Sequence, residues 1–364
     1  MNEDKAARYH RLHRRAVVAS LLWSIVLLGG LVVSGWHVRL RDAADLLLPR
    51  APLPVYVALL LMLHELVAFP LAAYSGVVLE RRYGLSTEPL RVWVTDQVKS
   101  LGIALLLGAG AASVIYVFIR RWPVQWWLPA GLVFAMLTIV LTNLAPVLVL
   151  PLFYQVKPLE REDLRARLLA LADRAGARVL GAYEWGLGAK TRKANAALAG
   201  LGGTRRILVS DTMLADYSED EIEVVLAHEL AHHVHGDIWK GIAFEALLII
   251  AGFYLAARAL GSLSRAAGLH DVTDIAGLPV LVLAAGFVSL LMSPVANAMS
   301  RAFERSADRF ALSLTKNPAA FISAMRRLGQ QNLAEEQPSR LVQWLFYSHP
   351  PLRERIAVAE AFKR

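Results

Sequence analysis

The chain has 364 residues, 56% of them hydrophobic, a formal net charge of +9 and no cysteine. A mean hydropathy of +0.44 excludes an ordinary soluble protein, and the missing thiols exclude disulfides, cysteine zinc ribbons and thiolate nucleophiles. The basic residues flank apolar runs, as membrane anchors do, and form no basic-aromatic patch, so no nucleic acid partner is expected.

Lys5, Arg8, Arg11, Arg14 and Arg15 precede an apolar run over 16–36. It is long enough to span a bilayer and no small-residue cleavage site follows, so it reads as an anchoring helix rather than a signal peptide. Further spans are expected over 55–79, 98–119 and 126–150, with Trp122, Trp126 and Trp127 as an interfacial belt at the start of the fourth. His64 and Glu65 lie inside the second span. An ionisable pair there is either a functional group at membrane depth or a hydrogen bond between helices. Gly108, Gly110 and Ser113 mimic part of a dinucleotide fingerprint, but no strand precedes them and close helix packing explains them better.

From 151 to 240 the composition becomes that of a soluble domain. An amphipathic helix is expected over 159–175, ending at Gly176, and strands over 179–185 and 205–209. Residues 194–201 fit a hairpin with the latter strand, turned by Gly202 and Gly203. The string Gly186 to Thr191 lacks the glycine placement of a phosphate loop.

Within residues 218–237, His228, Glu229 and His232 form H-E-x-x-H. On a helix, positions i and i+4 share one face, so two imidazoles point at one Zn2+ and Glu229 reaches a water bound to it. Ser218 and Glu221 make a capping box, and Ile222, Val225, Leu226 and Leu230 an apolar stripe. The plain alternative is a solvated, histidine-rich helix face.

Two more spans are expected over 242–260 and 278–298. Lys and Arg are in moderate excess in the loops on the side of the N-terminus, which places the motif helix and the C-terminal region in the cytoplasm, with the reverse topology left open. A catalytic zinc site commonly has three protein ligands. Glu304 and Asp308, on one helical face just after the last span, supply the third. Glu304 would ligate the ion, and Asp308 would accept a hydrogen bond from a ligand imidazole. A solvated acidic pair among arginines is the alternative.

The fold expected is mainly α, a polytopic transmembrane bundle with a small α+β zinc protease domain. Residues 1–150 form the N-terminal membrane helices, 151–240 the soluble domain with the motif helix, 241–300 two further spans and 301–364 the remainder of the protease domain.

These residues resemble the integral-membrane zinc metalloproteases of the type I CaaX prenyl endopeptidase family. Beyond His228, Glu229, His232, Glu304, Ala307 and Asp308, the likeness includes the loop from Glu80 to Leu90 and Ala145-Pro146 through Pro158-Leu159. It continues in Lys190 to Asn195, Arg206 to Leu214, Tyr347 to Leu352 and Glu354-Arg355, covering roughly 55–360. The resemblance implies one Zn2+ per chain and places Asn195 on an edge strand beside the substrate backbone. It implies that His349 stabilises the oxyanion and that Arg355 supports the site or holds the peptide terminus. The chain departs from eukaryotic members in having one fewer N-terminal span and a motif extension that reads His233-Val234-His235-Gly236-Asp237; His233 and His235 fall off the ligand face.

The expected activity is peptide hydrolysis, with Glu229 as the base acting on a zinc-bound water. The expected substrates are prenylated or membrane-associated protein C-termini at the lipid bilayer. The alternatives are a heat-shock-type quality-control protease, a transporter with a structural zinc site, and an inactive scaffold.

Overall fold

The computed structural model describes residues 3–200 and 205–362. Its elements follow the hydropathy pattern, with the long apolar runs as helices. They are α1 (Glu3–Ser34), α2 (Trp36–Leu47), α3 (Pro52–Ala73), α4 (Leu90–Arg121) and α5 (Trp127–Leu148). Then come β1 (Val156–Pro158), α6 (Glu162–Arg174), β2 (Gly181–Trp185), β3 (Ala196–Ala199), β4 (Arg206–Ser210), α7 (Glu219–Val234) and α8 (Asp237–Leu263). The chain closes with α9 (Leu278–Thr315), α10 (Pro318–Gln331), α11 (Arg340–Phe346) and α12 (Leu352–Phe362).

Among the described residues, six helices are long and apolar enough to cross a membrane, matching the number read from the sequence. Their ends differ, because helical hydrogen bonding does not stop where hydrophobicity does. Thus α1 starts at Glu3 and carries the whole basic segment. Past Pro70, which has no N–H to donate, α3 widens into a π-helical stretch, Tyr74–Leu79, before ending at Arg82. Trp126 is not part of an interfacial belt. It is buried edge-on against Phe253 of α8, whereas Trp122 is exposed.

The sheet has the order β1-β2-β4-β3. The expected hairpin forms, with Ala196 opposite Val209 and Ala199 opposite Arg206; Gly202 and Gly203 lie outside the described residues. It leaves β3 as one outer strand. At the other side β1 pairs antiparallel with β2, a strand too short and too close to Pro158 for alternation to reveal. One core joins sheet and helices. Ile207 and Val209 of β4 pack with Leu168 of α6, Leu226 and Leu230 of α7, Leu312 of α9 and Phe321 of α10. Burying such a Leu or Phe side chain contributes roughly 1.5–3 kcal/mol, which is what seats α7 between the sheet and α9. A second core, with Tyr56, Tyr116 and Leu260, lies at the opposite end of the membrane helices.

Candidate active site

The N-terminus of α7 is fixed by its sequence. Ser218 Oγ accepts from the Glu221 amide at 3.3 Å, and a Glu221 carboxylate oxygen accepts from the Ser218 amide at 2.8 Å. The capping box is formed. About two turns after Glu221, His228 is buried, His232 is partly buried, and their rings meet edge to face at 5.0 Å.

Glu304 reaches this pair from α9. Its Oε2 is 3.3 Å from His228 Nε2, and its Oε1 is 3.4 Å from His232 Nε2. One donor atom from each of the three residues lies within 4.8 Å of the others. Glu304 Oε2 also lies 2.8 Å from His349 Nδ1, yet none of these approaches has hydrogen-bond alignment and the buried oxygen is left without a hydrogen-bond partner. Glu304 thus sets one oxygen, buried without a hydrogen bond, beside His228 Nε2 and its other oxygen beside His232 Nε2, a donor set that could hold a metal ion. The residues fit the zinc that the motif implies.

The far sides of both imidazoles are occupied. His228 Nδ1 is 2.9 Å from Asp308 Oδ1, as expected of a ligand whose tautomer is fixed by a carboxylate. Arg355 then grips Asp308 with both arms, Nη2 to Oδ1 at 2.6 Å and Nε to Oδ2 at 2.9 Å. His232 Nδ1 is 3.1 Å from Asp237 Oδ2, and Lys240 Nζ holds the other oxygen of Asp237 at 3.0 Å.

Asp237 is the residue that sequence reading missed. Counting along an unbroken α7 puts it off the ligand face. Gly236, at φ 67°, ends the helix in the left-handed region and turns the chain so that Asp237, at the start of α8, faces back to His232. The glycine–aspartate pair just past the motif was the available signal.

Electrostatics follow from this ring of charge. Burial opposes a charge on His228, but the Asp308 and Glu304 carboxylates at its two nitrogens prevail and push it up to about 9. His232 is likewise raised, against burial, by Glu304. Burial raises Glu229, while the neighbouring imidazoles pull the other way.

His349, just before α12, keeps an exposed side chain. Asn195 is also exposed, one residue before β3, and its backbone is tied to Ser210 by two hydrogen bonds of 2.9 and 3.0 Å. The structure therefore gathers His228, His232, Glu304, Asp308, Arg355 and His349 into one cluster, and places Asn195 just before the sheet's outer strand. His235 turns away to Ser306, at 3.3 Å. In the membrane region His64 Nε2 is 3.0 Å from Ser24 Oγ, a contact between α3 and α1.

Residues 158–363, more than half of the chain, match peptidase family M48. The chain belongs to that family. Residues 2–155 match the "CAAX prenyl protease N-terminal, five membrane helices" family, although among the described residues α1, α3, α4 and α5 are the four helices of spanning length there. An uncharacterized metalloprotease of Bacillus subtilis is 31% identical to this M48 peptidase over 339 residues, 91% of this chain and 79% of that protein. CAAX prenyl protease 1 of Saccharomyces cerevisiae is 29% identical over 330 residues, 84% of this chain and 71% of that one. The crystal structure of S. mikatae Ste24p shares the fold, with a TM-score of 0.86 at 24% identity, covering 98% of this chain and 88% of that one. This M48 peptidase is thus a multi-pass membrane metalloendopeptidase.

Proposed function

We propose that this M48 peptidase is a zinc endopeptidase of the H-E-x-x-H…E type that trims prenylated or membrane-associated protein C-termini at the cytoplasmic face of a bilayer. The observation that carries the metal assignment is the convergence of His228, His232 and Glu304 within 4.8 Å. The named activity of the yeast relative supports the substrate class, and the excess of Lys and Arg beside the N-terminus supports the sidedness. The protease unit would comprise 151–240 and 301–364, with the segment between them in the membrane.

Zinc bound there would lower the pKa of a water and polarise the scissile carbonyl. Glu229, next to His228 on the partly open side of α7, takes the proton from the attacking water and delivers it to the leaving amine. His349 is exposed and reaches the ligand cluster, so it is the side chain that donates to the oxyanion. Arg355 grips Asp308 through two of its nitrogens and acts by holding that carboxylate against His228. An extended peptide adds to the outer strand beside Asn195, where backbone pairing supplies affinity without demanding a sequence.

The test is metal-dependent proteolysis by detergent-solubilised protein, with a farnesylated C-a-a-X peptide and casein in parallel and Glu229→Gln as control. Cleavage of the prenyl peptide, lost with chelator and in the variant, is the expected result. Cleavage of casein alone would move the assignment to quality control, and bound zinc without cleavage of either substrate would refute the proposed substrate class.

A further inference from the structure

The first turns of α1 leave the membrane helices and lie against the protease half of the chain. Tyr9 is buried with Leu79, Tyr83 and Leu85 in a small separate apolar cluster, on which Leu12 and Leu333 pack. Three polar arms extend from it. The Tyr9 hydroxyl donates to Glu80, whose other oxygen pairs with Lys193 at 3.0 Å. His10 Nε2 lies 2.8 Å from the Leu333 carbonyl. Arg14 Nη1 donates to Glu335 Oε2 at 2.6 Å and to the Tyr347 hydroxyl at 2.9 Å, and that hydroxyl donates to the same Glu335 oxygen.

Two of these arms stop just short of substrate. Lys193 is two residues before Asn195, and Tyr347 is two residues before His349. The loop carrying Leu333 and Glu335 joins them, because Asn332 pairs with both backbone groups of Ala194, at 3.0 and 3.1 Å. Tyr347 is held again through its carbonyl, which accepts from Arg301, one turn before Glu304. The Arg14 and Glu335 side chains are only 19% and 14% exposed, so water and salt screen this pair less than an ordinary surface bridge.

We propose that the extramembrane turns of α1 are a brace that fixes segments 193–195 and 347–349 relative to each other before substrate arrives, with Arg14 and Tyr9 as positioning residues. This rests on the peptidase reading, which assigns substrate contacts to Asn195 and His349. Holding both segments beforehand removes an ordering cost that each turnover would otherwise carry. The two arms separate kinetically. Freeing His349 weakens an interaction made in the transition state, which lowers kcat at constant KM. Freeing Lys193 loosens the strand that receives the peptide, which raises KM at nearly constant kcat.

The experiment uses the full-length protein with Arg14→Met, Arg14→Lys and Tyr9→Phe, scored by kcat and KM on the farnesylated peptide and casein. Bound zinc, the unfolding midpoint and amide exchange over 193–199 and 343–349 are read on the same samples. Expected are an about 10-fold lower kcat for Arg14→Met, on the scale that misplacing a catalytic group costs, with recovery in Arg14→Lys. Tyr9→Phe raises KM several-fold, and each substitution speeds exchange only in its own segment, with zinc unchanged. Wild-type exchange in both segments overturns the brace, and so does a uniform loss of kcat, KM, zinc and midpoint together. Should the wild type cut neither substrate, the proposed substrate class fails on its own, and the exchange data still decide whether α1 holds the two segments.

Discussion

Asp308 carries two partners at once, and removing them separately or together gives opposite results for stability and for metal binding. Its side chain is 3% exposed and that of Arg355 is 14% exposed. Asp308→Asn leaves a largely buried guanidinium whose nearest remaining anion is Glu304, at 3.9 Å. Arg355→Met leaves a buried carboxylate with His228 as its remaining charged partner. Breaking one partner of such a pair costs about 3–5 kcal/mol, whereas replacing both is close to neutral. At roughly 2 °C per kcal/mol for a chain of this size, each single substitution lowers the unfolding midpoint of the metal-free protein by about 6–10 °C. The double variant falls by less than either single. Zinc affinity behaves differently, because the carboxylate that fixes the His228 tautomer is gone in both Asp308→Asn and the double variant. Both bind zinc about 10–100-fold more weakly. Scanning fluorimetry in chelator and zinc competition against a chromogenic chelator read the two quantities. Midpoint losses that simply add in the double variant would refute the paired-charge account.

Four other outcomes follow from the geometry. Glu229→Gln lowers kcat by about 10²–10⁴-fold, the usual worth of a general base, while metal analysis still finds zinc. Asp237→Asn weakens zinc binding about 10–100-fold, by freeing the His232 ring that the aspartate orients. Glu221 is held below 4.5, against burial, by Ser323, the Ser218 amide and Arg327. Its stabilisation is complete above pH 4.5 and is lost as pH falls through the lowered folded value, so the midpoint difference between wild type and Glu221→Gln shrinks on acidification. Gly329→Ala puts a Cβ 2.4 Å from Leu352 Cδ2. It lowers the midpoint and slackens Arg355 on the displaced α12, visible as weaker zinc binding.

What was legible in the sequence was local. The spacing of His228 and His232 is a property of one helix, the capping box spans four residues, and the β3–β4 hairpin closes within a short stretch. Span number follows from apolar length alone. What was not legible depends on where distant segments meet. Asp237 is turned onto His232 by one left-handed glycine, which a helical count passes over. Trp126 looks interfacial until Phe253 of α8 covers it. The α1 brace joins residues over 300 positions apart, Arg14 with Glu335 and Tyr347, and nothing in the local pattern distinguishes Arg14 from the other anchoring cations near it.

Glu304 stands on a helix that is also long and apolar enough to cross a membrane. The sequence separates the last span from the acidic pair after it, but α9 runs unbroken from Leu278 to Thr315. Pro294 lies inside it and leaves the Leu290 carbonyl without its helical donor. Ser293 Oγ donates to that carbonyl at 3.0 Å, so the helix continues. From residue 278 to 298 the helix rises about 30 Å, the thickness of a bilayer core, and Glu304 stands about 9 Å further on. With 278–298 as the proposed span, the proposed third ligand would be held at a set height above the lipid by the same helix. His228 and His232 come to the same height only because α7 packs on α9 through the shared core of Leu226, Leu230 and Leu312. A substrate anchored in the bilayer would meet the site at a constant distance from its anchor, which is the geometric requirement for trimming a lipid-linked C-terminus a few residues from the lipid.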